Sequence, residues 1–293
     1  MYSILIPVYN YDVRELVSSI HLQAEKLDVP FEIIVLDDAS TDAIAANNQQ
    51  VASIPQTTYE VLPMNVGRGS IRKKLAERAQ FNRLLFLDCD VQINNPHFIA
   101  NYLDNKDDLV VIGGIAYQDA QPNSPRHMLR WLYGTQREQK SALERSKMRF
   151  SHFVASNIMI DRKVFLDIPL DEEINGYGHE DTMLGLRIIE KGIQIKQIDN
   201  PVTHLGLDDS QAFLEKSLSG VKNLARLYKS NLVGSQLKLI KTYERLNTFG
   251  IRKLILAGLK QCIPFFERNL LGPKPNLRYF DLWKLYHFAI SCE

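Results

Sequence analysis

An α/β fold is predicted for this chain, with a mostly parallel central sheet flanked by helices and a helical C-terminal extension. Two features of the sequence predict it. Short apolar runs rich in β-branched residues alternate with helix-like segments, and apolar residues recur at helical spacing from residue 211 onward. A chain of 293 residues, 45% hydrophobic and 24% charged, is long enough for one large α/β domain and an appendage.

The first part of the chain has a βαβαβ pattern. Its strands are predicted at residues 4–8, 32–36 and 83–87, and its helices at 13–27 and 71–79. Strands at 109–115 and 154–160 and a helix at 182–191, ended by Gly192, are predicted to follow. Residues 117–150 are polar and are predicted to form a long loop, helical around 131–147, that could cover an acceptor.

Charge divides the chain near residue 220. Residues 221–293 hold 13 Lys and Arg against 4 Asp and Glu, a net charge of +9, whereas the whole chain carries only +1. We therefore predict two domains, residues 1–210 and a basic, helical extension at 211–293. The small overall charge argues against nucleic-acid binding by the whole molecule.

The cysteines and the N-terminal segment favour a cytoplasmic protein. Cys89, Cys262 and Cys292 lack the spacing of a zinc site or a disulfide framework. The first residues lack the positively charged region and the long apolar region of a signal peptide. No apolar run is long enough to span a bilayer.

Two acids follow the predicted strand at 83–87. Asp88 and Asp90 stand at positions i and i+2, so they share a face and converge at the carboxyl edge of the sheet, where α/β proteins bind ligands. Carboxylates suit Mg²⁺ or Mn²⁺, which would bridge a diphosphate. The alternative is that both are solvated turn residues.

A second acidic turn, Asp37 and Asp38, follows the strand at 32–36. A carboxylate here could accept the imide N–H of a uracil or the amino group of another base, while Ser40 or Thr41 caps the next segment. The alternative is a capping loop and nothing more.

The glycine-rich segment 175–181 ends in Glu180 and Asp181. Its glycines permit close backbone approach to a sugar, and both acids are predicted in a first helical turn, where the macrodipole favours their ionised form. An ionised carboxylate is what a general base requires. Taken alone, the motif would favour the alternative that both acids are ordinary residues of a helix start.

Together and in this order, the motifs resemble glycosyltransferase family 2, whose nucleotide-sugar-binding fold is called GT-A. The resemblance covers roughly residues 1–210. It rests on Ile6-Pro7-Val8-Tyr9-Asn10, Asp37-Asp38-Ala39-Ser40, Asn65-x-Gly67 with Arg72, Asp88-x-Asp90, Ala155-Ser156-Asn157 before residues 161–165, Gly176-Tyr177-Gly178-x-Glu180-Asp181, and His204.

The resemblance implies a role for each matched position. The donor-side residues are Pro7, Tyr9, Asp37, Asp38, Asn65, Arg68, Arg72 and Asp88, the last near the ribose and the metal. Asp90 is the implied direct ligand of Mn²⁺ or Mg²⁺, and His204 a further one. Asp181 is the implied inverting base, and Glu180 holds an acceptor or donor hydroxyl.

The implied reaction moves a sugar from a nucleotide-diphosphate donor to a hydroxyl of a glycan or lipid-linked acceptor, with inversion. Uracil is the base expected from the family, with guanine and thymine open. Lys73 stands where relatives often have Asn. The Gln-x-x-Arg-Trp element of processive synthases does not occur, which disfavours processive polymerisation.

Two other functions share this architecture. Sugar nucleotidyltransferases usually need a Gly-rich phosphate loop with a basic residue near the first strand, and residues 7–11 contain neither glycine nor Lys. A non-catalytic sugar-binding scaffold is disfavoured because the acid pair and the base candidate are intact.

Aromatic and basic residues interleave at 276–288, and Phe265 and Phe266 precede them. Such a segment is typical of interfacial helices, which predicts attachment to an anionic membrane carrying a lipid-linked acceptor. The alternative is that these aromatics pack on the catalytic domain or in a dimer contact.

Overall fold

A computed structural model describes residues 1–148, 153–169 and 178–293. The described residues form two compact units. The first contains residues 1–116, 139–148, 153–169 and 180–206, and the second contains 117–138, 178–179 and 207–293.

The elements follow the chain in this order. The strands are β1 (Tyr2–Val8), β2 (Phe31–Asp37), β3 (Thr57–Val61), β4 (Arg83–Leu87), β5 (Val91–Gln92), β6 (Val110–Ile112), β7 (Ile115–Ala116), β8 (Asn157–Asp161), β9 (Ile195–Gln197) and β10 (Val202–His204). The α-helices are α1 (Arg14–Ala24), α2 (Asp42–Asn48), α3 (Arg68–Arg78), α4 (Phe98–Leu103), α5 (Met128–Tyr133), α6 (Ala142–Ser146), α7 (Arg162–Leu166), α8 (Glu180–Glu190), α9 (Ser210–Lys229), α10 (Lys238–Thr248), α11 (Arg252–Leu270) and α12 (Leu277–Cys292).

The first unit is built on a seven-stranded sheet of order β3-β2-β1-β4-β8-β6-β9. Only β8 runs antiparallel to its neighbours. Strands β1, β2 and β4 are almost wholly buried, because helices cover both faces of a parallel sheet. The predicted mostly parallel α/β fold is confirmed.

The strand register brings the candidate residues to one edge of this sheet. Val8 of β1 lies beside Asp37 of β2, so the segments that follow both strands leave the sheet together. Leu87, the last residue of β4, pairs with Asn157, the first of the antiparallel β8. Residues just before β8 therefore share the edge with Asp88.

A second, three-stranded sheet of order β5-β10-β7 belongs to the same unit. The prediction of a single strand at 109–115 was wrong, because this segment forms two strands, β6 and β7, that lie in different sheets. Gly113 and Gly114 separate them: Gly114 has φ +90°, and a side chain at Gly113 would collide with Tyr102 and Asn157.

Several elements were not predicted, among them α2, β3 and α4. Strand β3 extends the sheet beyond β2, and its one buried residue, Tyr59, reaches the end of β2. Helix α3 begins three residues earlier than predicted, so it carries both Arg68 and Arg72.

The second unit is helical, which confirms the predicted helical C-terminal region. Helix α9 packs on α12, and the aromatic rings of Phe213, Phe280 and Trp283 cluster in its interior. Phe280, Trp283 and Phe288 of α12 are buried. These aromatics thus pack within the second unit, which is neither the interfacial helix that was predicted nor the packing on the catalytic domain or in a dimer that was its alternative. No helix among the described residues is long and apolar enough to cross a membrane.

Candidate active site

Arg72 lies between two carboxylates in the first unit. It projects from α3 and is 6% exposed. Its Nη2 donates to Asp88 Oδ1 at 2.6 Å, and its Nη1 lies 3.6 Å from Asp181 Oδ1. Although burial disfavours a charged carboxyl, the charges of Arg72 and Arg68 hold the pKa of Asp88 below its ordinary value.

Asp181 has one oxygen toward Arg72 and the other held by the backbone. Its Oδ2 accepts the N–H of Ala155, just before β8, at 3.1 Å. Burial raises the pKa of Asp181 to about 6, Arg72 opposes this shift, and the charges of Glu180 and Asp88 add to it. Burial thus acts against the ionised form that the helix start is expected to favour, yet with a pKa of about 6 the carboxyl is mostly ionised at neutral pH.

The glycine-rich motif before Asp181 is described only from Gly178 onward, so Gly176 and Tyr177 lie outside the described residues. Gly178 and His179 have φ of +87° and +73°. Helix α8 then begins at Glu180, which puts Glu180 and Asp181 in its first turn, as predicted.

Asp90 faces His204, with 3.4 Å between Asp90 Oδ2 and His204 Nε2. The small sheet brings them together, because His204 of β10 pairs with Val91 of β5 and Leu205 N–H donates to the Asp90 carbonyl at 2.9 Å. A Cβ on Gly206 would lie 3.1 Å from Asp90 Oδ2, so glycine keeps space beside that oxygen.

This pair fits a divalent cation. A carboxylate oxygen and an imidazole nitrogen are ligands that Mn²⁺ accepts, and Mg²⁺ sites commonly use few protein ligands plus substrate phosphates. Burial raises the pKa of Asp90, His204 opposes this and Asp88 adds to it, so a cation would relieve an unfavourable buried charge.

Asp88 is not part of a metal cage in the described residues, where no three His, Cys, Asp or Glu side chains could hold an ion together. Its Oδ1 is engaged by Arg72. The role of Asp88 as a metal ligand stays a prediction.

The carboxylates of Asp37 and Asp38 both form hydrogen bonds within the protein. Asp37 is fully buried and accepts from the Tyr59 hydroxyl and the Ser40 N–H, each at 2.7 Å. Asp38 is 4% exposed and accepts the N–H groups of Val66 and Gly67 at 2.7 and 2.9 Å. These carboxylates shape the loops at the sheet edge.

The remaining donor-side residues lie on the same loops. Asn65 Nδ2 donates to the Asp38 carbonyl at 3.1 Å. Pro7 is near the end of β1, and Tyr9, which follows the strand, is 54% exposed, so its ring is open to a ligand. Arg68 is exposed at the first position of α3.

Sequence reasoning missed a pair of strained turns beside these residues. Asn10 and Ala39 have φ of +50° and +62°, in the left-handed region that non-glycine residues seldom adopt. Asn10 N–H donates to Ser40 Oγ at 2.7 Å, and Asn10 Oδ1 accepts from Thr41 N–H at 2.9 Å. Asn tolerates this conformation better than most residues, so an Asn directly after a strand was the sequence feature that could have indicated the turn.

Comparison with known proteins agrees with this geometry. The model of the family described as glycosyl transferase family 2 matches residues 3–168. Hyaluronan synthase from Pasteurella multocida is 26% identical over 230 residues, 67% of this chain. The alignment covers 24% of that protein, so the chain spans about a quarter of its relative's length.

Three solved structures share the fold. A mannosyltransferase from Pyrobaculum calidifontis, in complex with GDP-Man and Mn²⁺, has TM-score 0.57 and 14% identity, covering 99% of this chain and 85% of that chain. Mannosyl-3-phosphoglycerate synthase from Rubrobacter xylanophilus has TM-score 0.54 and 17% identity, covering 80% and 75%. Glucosyl-3-phosphoglycerate synthase from Mycobacterium tuberculosis, in complex with Mn²⁺, UDP and its product, has TM-score 0.50 and 15% identity, covering 77% and 79%.

These structures establish the likeness of fold, and the family model covers more than half of the sequence. The chain therefore belongs to glycosyltransferase family 2.

Proposed function

We propose that this protein transfers a hexose or N-acetylhexosamine from a nucleoside-diphosphate sugar to a hydroxyl of a glycan or lipid-linked acceptor, with inversion and with a divalent cation. Family membership supports sugar transfer. The observation that carries the finer proposal is the buried Arg72, which pairs with Asp88 and Asp181 in the unit where Asp90 faces His204.

The donor would bind at the edge formed by the loops after β1 and β2. The exposed ring of Tyr9 is available to pack on a base, and Arg68 supplies positive charge that acts on Asp88 and Asp90. Asp38 supports this edge indirectly, because its hydrogen bonds hold the backbone of Val66 and Gly67 just before Arg68. Uridine is the expected nucleoside.

Asp90 and His204 are the residues that would hold Mn²⁺ or Mg²⁺. When bound, such an ion neutralises negative charge that develops on the departing diphosphate. The raised pKa of Asp90 and the space beside Gly206 support this assignment on the protein side.

Asp181 would act as the general base. The acceptor oxygen forms a bond to the anomeric carbon while the bond from that carbon to the diphosphate oxygen breaks, and the hydroxyl proton passes to the Asp181 carboxylate. The Ala155 N–H orients this carboxylate, and Arg72 favours its ionised form. Glu180 would hold a sugar hydroxyl.

The test is a thermal-shift panel of UDP, GDP and dTDP with and without Mn²⁺, followed by turnover of the matching sugar nucleotides. We expect one nucleotide to stabilise the protein only with metal, by about 2.7 kcal/mol at 100 times its Kd. Asp90→Ala should remove both the shift and turnover, and Asp28→Ala, at an exposed acid of the first unit, should remove neither.

Turnover that survives exhaustive EDTA treatment would contradict the metal assignment. Pyrophosphate release from a nucleoside triphosphate would identify a nucleotidyltransferase, and donor binding without transfer or hydrolysis would identify a scaffold.

A further inference from the structure

The outer side of α11 and the turn before it expose large apolar side chains to solvent. Leu254 and Phe249 are 75% and 73% exposed, more than any other large apolar side chain among the described residues. We call this surface the α11 patch. It consists of Phe249, Ile251, Leu254, Ile255 and Phe265, all at least 37% exposed.

Most of the patch lies on helix α11, which contains Pro264 just before Phe265. Ile251, Leu254, Ile255 and Phe265 recur at helical spacing and lie on one side of α11. The adjoining side is anchored in the second unit by Leu256, Leu259, Phe266 and Leu270, all buried. The Phe265 ring also contacts Tyr279 of α12 edge to face, with 5.4 Å between centroids. Among the described residues, α11 thus presents apolar groups that are largely exposed, with Phe265 alone of the patch in ring contact with α12.

A row of cations lies beside the patch. The exposed charged residues of segment 249–268 are Lys253, Lys260 and Arg268, at the helical spacing of one side of α11. The segment's single acid, Glu267, is half-buried and accepts from the Trp283 indole N–H at 3.0 Å. The exposed charge along this surface is therefore entirely positive.

We propose that the α11 patch docks the protein on an anionic lipid surface. Its apolar side chains would enter the boundary between headgroups and acyl chains, while Lys253, Lys260 and Arg268 meet lipid phosphates. Charge favours lipid over a second copy of the chain, because a symmetric dimer through this face would bring the two cation rows together. This proposal is independent of the donor and of the chemistry.

The first test is co-sedimentation of the full chain with vesicles of phosphatidylcholine containing increasing phosphatidylglycerol. We expect binding that rises with anionic content and is lost at about 1 M salt, where the Debye length is about 3 Å. The double variant Phe249→Ser with Leu254→Ser should lower the partition coefficient about tenfold or more, because it removes the two most exposed apolar side chains of the patch. Leu143→Ser is the matched control, because Leu143 is 66% exposed on α6 of the first unit.

The second test separates charge from apolar insertion. Lys253→Gln with Lys260→Gln should weaken binding to anionic vesicles by about fivefold per lysine, which is the usual effect of one basic residue near such a surface. The control is Lys26→Gln with Lys106→Gln, two exposed lysines of the first unit. A polarity-sensitive dye on Cys262, the one exposed cysteine of the three, should shift to the blue on anionic vesicles only.

Failure to sediment at low salt with anionic vesicles would overturn the proposal, and so would patch variants that bind like the controls. Sedimentation velocity without lipid tests the competing occupant. A dimer that dissociates on Leu254→Ser, in a protein that ignores vesicles, would assign the patch to self-association instead.

Discussion

Arg72 shows how one side chain can serve two acids with different roles. Its buried guanidinium donates to Asp88 at 2.6 Å and lies 3.6 Å from Asp181. The electrostatic interaction with Asp88 is therefore the stronger of the two. The pKa of Asp88 is accordingly lowered, whereas that of Asp181 is raised to about 6 by burial. The pKa values of two carboxylates that share one cation are thus shifted in opposite directions.

The pKa of Asp181 predicts the pH dependence of transfer. The proposed base must be ionised, so kcat should fall as the pH drops through about 6. Asp181→Asn should lower kcat by roughly 10²–10⁴ while leaving nucleotide-diphosphate affinity intact. Single-turnover assays from acidic to neutral pH test both points, with Asp28→Asn at an exposed position as control. Near wild-type kcat in Asp181→Asn would require another group to take the proton.

The same shift has a consequence for stability. The folded protein binds the Asp181 proton more tightly than the unfolded chain, so this group favours the native state below its unfolded pKa, near 4. The contribution is lost as the pH rises through about 6. In urea unfolding, Asp181→Asn should therefore be no less stable than wild type at neutral pH. A clear loss of stability there would show that the carboxylate holds the fold together.

The site residues that the sequence could predict are those with a local pattern. Asp88 and Asp90 follow an apolar strand, and that alone indicated an edge of the sheet. The pairing of Arg72 with both acids joins distant parts of the chain and leaves no local signal. The Tyr59 hydroxyl donates to Asp37 at 2.7 Å, and Tyr59 belongs to β3, a strand that had not been predicted.

At the scale of elements, Asn157 links the two sheets of the first unit. It is fully buried in β8, and its Oδ1 accepts from the Tyr102 hydroxyl at 2.6 Å. Its Nδ2 donates to the carbonyls of Gly114 and Asn200 at 2.8 and 2.9 Å. These bonds connect the end of α4, the turn between β6 and β7, and the approach to β10.

Asn157→Ala should therefore destabilise the protein by about 2–4 kcal/mol, because it removes the side-chain acceptor of the buried Tyr102 hydroxyl and the amide donor to the Gly114 and Asn200 carbonyls. The Tyr102 hydroxyl keeps the backbone carbonyl of residue 157 at 3.1 Å. Urea unfolding gives the measurement. Asn94→Ala, which removes the exposed bond to Thr203 Oγ1, is the control and should cost less than about 0.5 kcal/mol. Equal costs for the two variants would count against the network.

The elements that the sequence could not predict share a physical reason. The run at 109–115 reads as one strand, and its break at Gly113 depends on Tyr102 and Asn157, which approach from elsewhere. In β3 only Tyr59 is buried, so its apolar pattern is weak. Strands β1, β2 and β4, buried on both faces, were predicted because their apolar runs are continuous.

At the scale of the whole molecule, the basic C-terminal region divides its apolar residues between interior and surface. Helix α12 buries Phe280, Trp283 and Phe288, whereas α11 buries one side and exposes the α11 patch on an adjoining side. Sequence alone did not distinguish them, since both helices combine aromatic, aliphatic and basic residues. Their packing partners within the second unit decide which side chains stay exposed.

Trp283 tests this division. Trp283→Ala should destabilise the second unit by about 3–5 kcal/mol, the usual cost of truncating a buried Trp. Leu282→Ala, at the 37% exposed neighbour on the same helix, should cost less than about 1 kcal/mol. Hydrogen exchange of peptides from residues 207–293 would locate the loss. Comparable protection in both variants would mean that α12 contributes little to the core.

The late position of β9 and β10 determines when the first unit can be completed during synthesis. Strand β6 pairs with β9, and Asp90 meets His204 only through β10, although the family match ends at residue 168. A nascent chain therefore carries β6 with one open edge until residues 195–204 have left the ribosome. Open strand edges recruit other chains, so the growing sheet is exposed to wrong pairing until this stretch has been translated.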